Sequence, residues 1–302
     1  MTKERQQMSP DSPTLEKVIK ATSPQMTPKN KIIADYVLDN PQKAVFMTTR
    51  QLAAASGVSE ATIVRFVRQL GYESYAVFIN QLRNHIDTGL TLLERSRITI
   101  ESKDGEHNAF TRVVEQEIEN LSFLGKNLDM DEADKIIEHL SDASRVLVIG
   151  SRLSYSLANY MGWTMTKIRE DVTTLKGSDR TTIDCLAIAP ENTVVVIVAT
   201  SRYPNELIRI GKMARRQGHP LIVLTDSSSC PLLQFSTHAL IAPMLSIPFL
   251  GSITSLSCLI NYLVHALAKQ RGEDLNKHQE KLEQAYLEND ILFNLETRPE
   301  RR

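Results

Sequence analysis

The run Thr193-Val194-Val195-Val196-Ile197-Val198-Ala199 does most to limit the folds open to this chain. It is almost wholly β-branched and has no polar alternation, so it offers neither face to water. A strand of that kind is buried on both sides, as the central strands of a parallel sheet are. Shorter apolar runs precede and follow it: Arg145–Ile149 ending in Gly150, Val172–Leu175, Leu221–Thr225 and Ala239–Ala242. Between them the spacing of apolar residues predicts helices over Leu153–Arg169, Ser178–Leu186 and Asn205–Gln217, the last stopped by Gly218, and a short turn over Pro231–Phe235. A long helix, Ile253–Gln270, and a charged one, Glu273–Leu292, close the pattern. Strands alternating with helices imply right-handed β-α-β units and an open, doubly wound parallel sheet.

The first third of the chain follows a different period. Val58 to Tyr72 reads as a capped helix, with Ser59 as N-cap and Gly71 as the residue that stops it. At about 100° per residue, Ile63, Phe66, Val67 and Leu70 fall on one side. Ala61, Thr62, Arg65, Arg68, Gln69 and Tyr72 fall on the other, which carries no carboxylate. Guanidinium, amide and hydroxyl groups on one helix face suit the base edges and phosphates of a DNA major groove. A short helix, Thr48–Ser56, and a tight turn at Gly57-Val58-Ser59 precede it, completing a helix-turn-helix. Helices near Pro28–Asn40 and Ser74–Asp87 complete a small all-α bundle.

Charge is distributed accordingly. The 302 residues carry a net charge of -1, so the whole chain does not indicate a polyanion partner. Between Pro41 and Ile86, however, Lys43, Arg50, Arg65, Arg68 and Arg83 face only Glu60 and Glu73. Cys185, Cys230 and Cys258 are odd in number and far apart, which fits buried thiols in a reducing compartment and neither a disulfide framework nor a zinc site. The N-terminus lacks an apolar signal core, and no apolar run reaches the roughly 18 residues of a membrane span, so a cytoplasmic location and no membrane partner are expected.

Ligands of open α/β sheets bind beyond the carboxyl ends of the strands. Three such ends stand out: Gly150-Ser151-Arg152-Leu153-Ser154, Thr200-Ser201-Arg202-Tyr203-Pro204-Asn205 and Thr225-Asp226-Ser227-Ser228-Ser229. Hydroxyls, arginines and helix starts together suit a phosphate or another small anion. The same Ser and Thr residues also make ordinary helix caps. Neither Gly-x-Gly-x-x-Gly nor a Walker pattern occurs, so no dinucleotide or other cofactor is expected. Six of the seven histidines, His107, His139, His219, His238, His265 and His278, are scattered with no metal-ligand spacing, and no catalytic acid/base pair emerges. Trp163 reads as core or subunit interface, and the Leu275, Leu282, Tyr286 spacing of the terminal helix as a packing seam for a partner subunit.

The stretch Gly57-Val58-Ser59-Glu60-Ala61-Thr62-Ile63-Val64-Arg65-Phe66, followed by Leu70-Gly71-Tyr72 and Phe78, resembles the helix-turn-helix signature of the RpiR/MurR family of bacterial transcriptional regulators. The second half looks like a SIS (sugar isomerase) domain, a fold that binds phosphosugars. The resemblance covers roughly residues 27 to 270. Two departures stand out against the family's glycine-rich loops. Ser154 matches, but Arg152 replaces a Gly after the first strand; Ser201 matches, but Arg202 replaces a Gly after the third. Glu206 matches a Glu often found just beyond.

The expected organisation is a disordered arm (1–26), a helix-turn-helix domain (27–87), a linker (88–106) and a SIS-like sensing and dimerisation domain (107–292), an α plus α/β chain. The expected function is a ligand-responsive regulator that binds double-stranded DNA as a homodimer or dimer of dimers. Thr62 and Arg65 are its central contacts. Thr49, Arg50, Ser59, Arg68, Gln69 and Tyr72 are phosphate or flanking contacts. Ser151, Arg152, Ser154, Ser201, Arg202 and Glu206 form the site for a small anionic metabolite of the phosphosugar type. Two other functions stay open: a sugar-phosphate isomerase-like enzyme with an accessory helical domain, and a DNA-binding protein whose second domain only dimerises.

Overall fold

The computed structural model describes residues 15–45, 47–75, 77–79, 106–242 and 252–291, with the single positions 82, 93 and 96. The chain divides into two compact units, Met1–Phe123 with Met244–Ser252, and Leu124–Pro243 with Ile253–Arg302. The expected linker falls almost wholly outside the described residues. The division between units falls further along, inside a single helix, α6 (Glu106–Asn127).

The helical unit opens with α1 (Leu15–Thr22), α2 (Pro28–Asp39) and the single-turn α3 (Pro41–Ala44). The helix-turn-helix follows as α4 (Thr49–Ala55) and α5 (Glu60–Gln69). Thr48 starts α4 with a capping box: its hydroxyl accepts from the Gln51 N–H, and the Gln51 side chain accepts from the Thr48 N–H. Gly57 (φ +65°) lets the chain turn out of α4, and the Val58 N–H returns 2.9 Å to the Ala53 carbonyl. Gly71 (φ +90°) ends α5 in the same way, with the Tyr72 N–H 3.2 Å from the Val67 carbonyl. Ile33, Val37, Leu52, Ile63, Phe66, Val67 and Phe78 form the core, where Phe66 meets Phe78 edge to face at 5.9 Å.

One boundary is corrected. Residues 15–26 are not an arm, because Ile19 and Met26 are buried in the same core. The segment carries a signal of its own, since Leu15, Val18 and Ile19 recur at helical spacing, and Val18 packs against that core beside Ile19 and Met26. Residues 1–14 of the expected arm lie outside the described residues.

The second unit is a five-stranded, all-parallel sheet. Its strands are β1 (Arg145–Gly150), β2 (Val172–Lys176), β3 (Thr193–Ala199), β4 (Leu221–Thr225) and β5 (His238–Ile241), in spatial order β2-β1-β3-β4-β5. Every residue of β3 is buried, as its composition requires. On one face Leu147, Ile149, Val195, Ile197 and Val223 meet Leu186 of α9 (Arg180–Ala187) and Leu207, Ile210 and Ala214 of α10 (Asn205–Arg216). The opposite face is covered by α7 (Met130–Asp142), α8 (Leu153–Met165) and α11 (Thr254–Arg271), giving the two-sided cover expected.

Trp163 and Cys258 are more exposed than core side chains would be. Trp163 is 59 % exposed, with the Lys167 ammonium 5.2 Å from its ring centroid, so it is not core. Cys258 is exposed on α11, whereas Cys230 is buried and Cys185 partly so. In the terminal helix α12 (Glu273–Glu288), Lys167 Nζ donates to Tyr286 Oη (2.6 Å) and His278 bonds the Thr166 carbonyl (2.8 Å), while Leu275 and Leu282 stay half-buried.

The crossing of α8 over β2 is tight. A Cβ on Gly162 would lie 1.9 Å from Thr174 Oγ1 and 3.2 Å from Thr174 Cβ. Gly162→Ala is therefore expected to lower thermal stability by about 1–2 kcal/mol, overpacking outweighing the better helix propensity of Ala. Adding Thr174→Ala should restore most of the loss.

Candidate functional site

The α5 helix is amphipathic because its core positions recur at helical spacing, and that seam fixes what faces outward. Glu60, Ala61, Val64, Arg65 and Arg68 are exposed. Arg50, near the start of α4, is exposed as well, and Thr49 is half-buried. Ser59 occupies the N-cap with extended backbone, but its hydroxyl lies 2.9 Å from that of Thr62 and caps no N–H.

Three of the expected contact residues are engaged within the domain. Thr62 is only 5 % exposed, and its hydroxyl is shared between Ser59 and, at 3.5 Å, the Arg65 guanidinium. Gln69 clasps the fold: its amide oxygen accepts from Asn30 Nδ2 (2.6 Å) and its nitrogen donates to the Gln25 carbonyl (2.9 Å). Tyr72 is half-buried against Phe78 at 5.7 Å, and burial raises its phenol above the ordinary value. The exposed arc is thus turned by about one side chain from the one drawn by residue type. Val64, which sequence reasoning passed over as apolar, stands in it. The helical wheel carried that signal, since Val64 lies one turn from both Ala61 and Arg68.

In the sheet unit the strand order reverses between β1 and β3, so a crevice is expected at their carboxyl ends. Ser151 and Glu206 meet there: the buried Ser151 hydroxyl donates to Glu206 Oε1 at 2.7 Å. That bond, with the N–H at the start of α10 and the cations Arg209 and Arg152, holds the Glu206 carboxyl below the usual range. Ser154 is buried and spends its hydroxyl on the turn, donating to the Ser151 carbonyl (2.8 Å) and accepting from the Ser151 N–H (3.2 Å).

Ser201 is likewise committed. Its N–H (2.9 Å) and its hydroxyl both donate to Asp226 Oδ2, while Tyr203 Oη donates to Oδ1 at 3.0 Å. Burial, and then the charge of Asp226, raise the Tyr203 phenol. Asp226 and Tyr203 were not among the expected site residues. The available signal was a carboxylate directly following an apolar strand.

Arg152 and Arg202 are exposed and share an unusual backbone. Arg152 has φ 55°, ψ −126°, and Arg202 has φ 68°. Both sit where the resemblance implies Gly, and both keep the backbone that Gly favours. Non-glycine residues held in such regions store strain of about 1–3 kcal/mol, which clusters at functional sites. Arg152→Gly and Arg202→Gly should each raise the thermal stability of the protein, by about 1 kcal/mol, read from unfolding curves. An unchanged or lower midpoint would mean that the two side chains make compensating contacts.

Among the described residues there is no group of three His, Cys, Asp or Glu side chains placed to hold a metal ion. No helix among them is long and apolar enough to cross a membrane.

Comparison with known proteins agrees with both halves of this geometry. Residues 14–89 match the helix-turn-helix domain of the rpiR family, and residues 139–268 match the SIS domain. An uncharacterized HTH-type transcriptional regulator of Clostridium perfringens is 26 % identical over 71 % of this chain and 76 % of its own length. The HTH-type transcriptional regulator HexR of Pseudomonas aeruginosa is 24 % identical over 84 % of this chain and 88 % of its own. The solved structure of Vibrio vulnificus NanR complexed with ManNAc-6P has the same fold, with a TM-score of 0.58 at 20 % identity over 93 % of this chain and all of that one. The chain thus carries a helix-turn-helix domain of the rpiR family followed by a SIS domain, and the Clostridium and Pseudomonas relatives it matches along most of its length are HTH-type transcriptional regulators.

Proposed function

We propose that the protein is a cytoplasmic, ligand-responsive regulator that binds operator DNA as a homodimer through α5, and that its SIS domain senses a phosphosugar or a similar small anion. The observation that carries this is the pairing of an exposed Arg65 and Arg68 face on α5 with two arginines held in strained loops at the β1 and β3 ends. Dimerisation follows from the few base pairs that one recognition helix can read. The NanR relative is complexed with ManNAc-6P, which supports the phosphosugar class. Asp226 and Glu206 already occupy the Ser201 and Ser151 hydroxyls. Attraction for an anion therefore comes from Arg152, Arg202 and the N-terminus of α10. A ligand acts as an effector only through a difference in affinity between two states of the dimer.

The same occupied hydroxyls favour a second function, a DNA-binding protein whose SIS domain only dimerises. Two measurements on the full chain separate them. Binding to its own upstream DNA, and to fragments selected from random duplexes, is measured at two salt concentrations. Thermal shifts are measured across a panel of sugar phosphates. Selective, salt-sensitive DNA binding with a shift for one sugar phosphate supports the sensor. Selective DNA binding with a flat panel supports the scaffold. No selective DNA binding, with sugar-phosphate turnover, would establish an enzyme instead.

A further inference from the structure

The core seam of α5 leaves an outward arc containing two apolar side chains, Ala61 and Val64, with Val64 40 % exposed. Arg68 lies about 40° from Val64 around the helix, and Ala61 about 60°, on the same side. Thr62 and Gln69, the hydrogen-bonding side chains that could compete for base edges from this helix, are tied to Ser59, Arg65, Asn30 and Gln25. An exposed Val is a poor choice for the helix itself, because β-branching costs helix propensity relative to Ala, Lys or Glu. It also adds nothing to the domain core, which is closed by Ile63, Phe66, Val67 and Leu70.

We propose that Val64, supported by Ala61, reads thymine through its C5-methyl group, while Arg68 and Arg65, about 40° and 100° from Val64 on the side of Ala61, supply the hydrogen bonds and charge. This rests on α5 being the groove-reading helix. The chemistry is restrictive: the thymine methyl is the one apolar group that a base pair presents in the major groove. An apolar side chain at the edge of a guanidinium-bearing face therefore distinguishes a thymine from the other bases by contact alone.

The test replaces single thymines by deoxyuridine, which removes the methyl and leaves base pairing intact. Full-length protein first selects its best-bound duplex from a random library. Each thymine of that duplex is then replaced in turn and the dissociation constants are compared. For the wild-type protein one or two positions in each half-site should lose about fourfold in affinity, the worth of one buried methyl. In Val64→Ala the thymine-to-uracil ratio at those positions should fall towards one. Far-UV circular dichroism and the thermal midpoint check that the variant folds, and the wild-type measurement needs no variant at all. Selective binding with no uracil-sensitive position overturns the methyl contact and leaves the regulator standing. A uracil effect that persists unchanged in folded Val64→Ala assigns the methyl to another side chain and overturns the proposal. Failure to select any sequence overturns the groove-reading role of α5, and this proposal with it.

Discussion

Asp226→Ala should lower the stability of the sheet unit by roughly 3–5 kcal/mol, the largest effect expected of any single substitution outside the apolar core. The carboxylate is only 3 % exposed and accepts from the Ser201 N–H, the Ser201 hydroxyl and the Tyr203 hydroxyl, with Thr225 Oγ1 at 3.3 Å. Removing it takes the acceptor from those donors, and each hydrogen bond to a charged group is worth about 1.5–3 kcal/mol. In a domain of this size the midpoint of thermal unfolding should fall by about 10 °C. Asp226→Asn keeps the shape but brings an amide NH₂ towards groups that themselves donate, so about half of the loss is expected. Tyr203→Phe and Ser201→Ala each remove one donor and should cost about 1–2 kcal/mol. A midpoint for Asp226→Ala within 2 °C of the wild type would show that the network does not stabilise the β3–β4 end of the sheet.

What local sequence encodes and what it does not can be separated residue by residue. The β3 strand was legible because six β-branched side chains in succession tolerate one environment only, and its burial is complete. The helix-turn-helix was legible because Thr48, Gln51, Gly57 and Gly71 set the starts and stops through contacts within a few residues of themselves. The site side chains were harder, since their fate depends on distant partners. Gln69 bonds Asn30 and the Gln25 carbonyl, 39 and 44 residues away, and Ser201 bonds a carboxylate 25 residues on. A polar side chain looks equally available for DNA and for its own fold until those partners are placed. The arginines at positions 152 and 202 show the converse. By residue type they break the glycine pattern of the loops, but their positive φ angles keep the backbone that pattern serves.

Replacing Arg65 and Arg68 together by Ala should reduce operator affinity by about two orders of magnitude or more, because each contributes roughly 1–3 kcal/mol if it reaches the DNA. Both are exposed on α5, and among the described residues the one hydrogen bond lost is the long 3.5 Å contact from Arg65 to Thr62, so the fold should survive. The single variants divide the roles. Arg65 is assigned to a base edge, so Arg65→Ala should relax preference at one or two positions of the selected site while leaving the salt dependence nearly unchanged. Arg68 is assigned to a phosphate, so Arg68→Ala should weaken all sequences alike and lower the slope of log affinity against log salt by about one. Thr62→Ala, expected from residue type to be a central contact, should change affinity little, because its hydroxyl is buried among its own neighbours. If Arg65→Ala and Arg68→Ala give the same uniform weakening, both act on the backbone. Specificity would then rest on the apolar strip of Ala61 and Val64 and on the shape of the DNA.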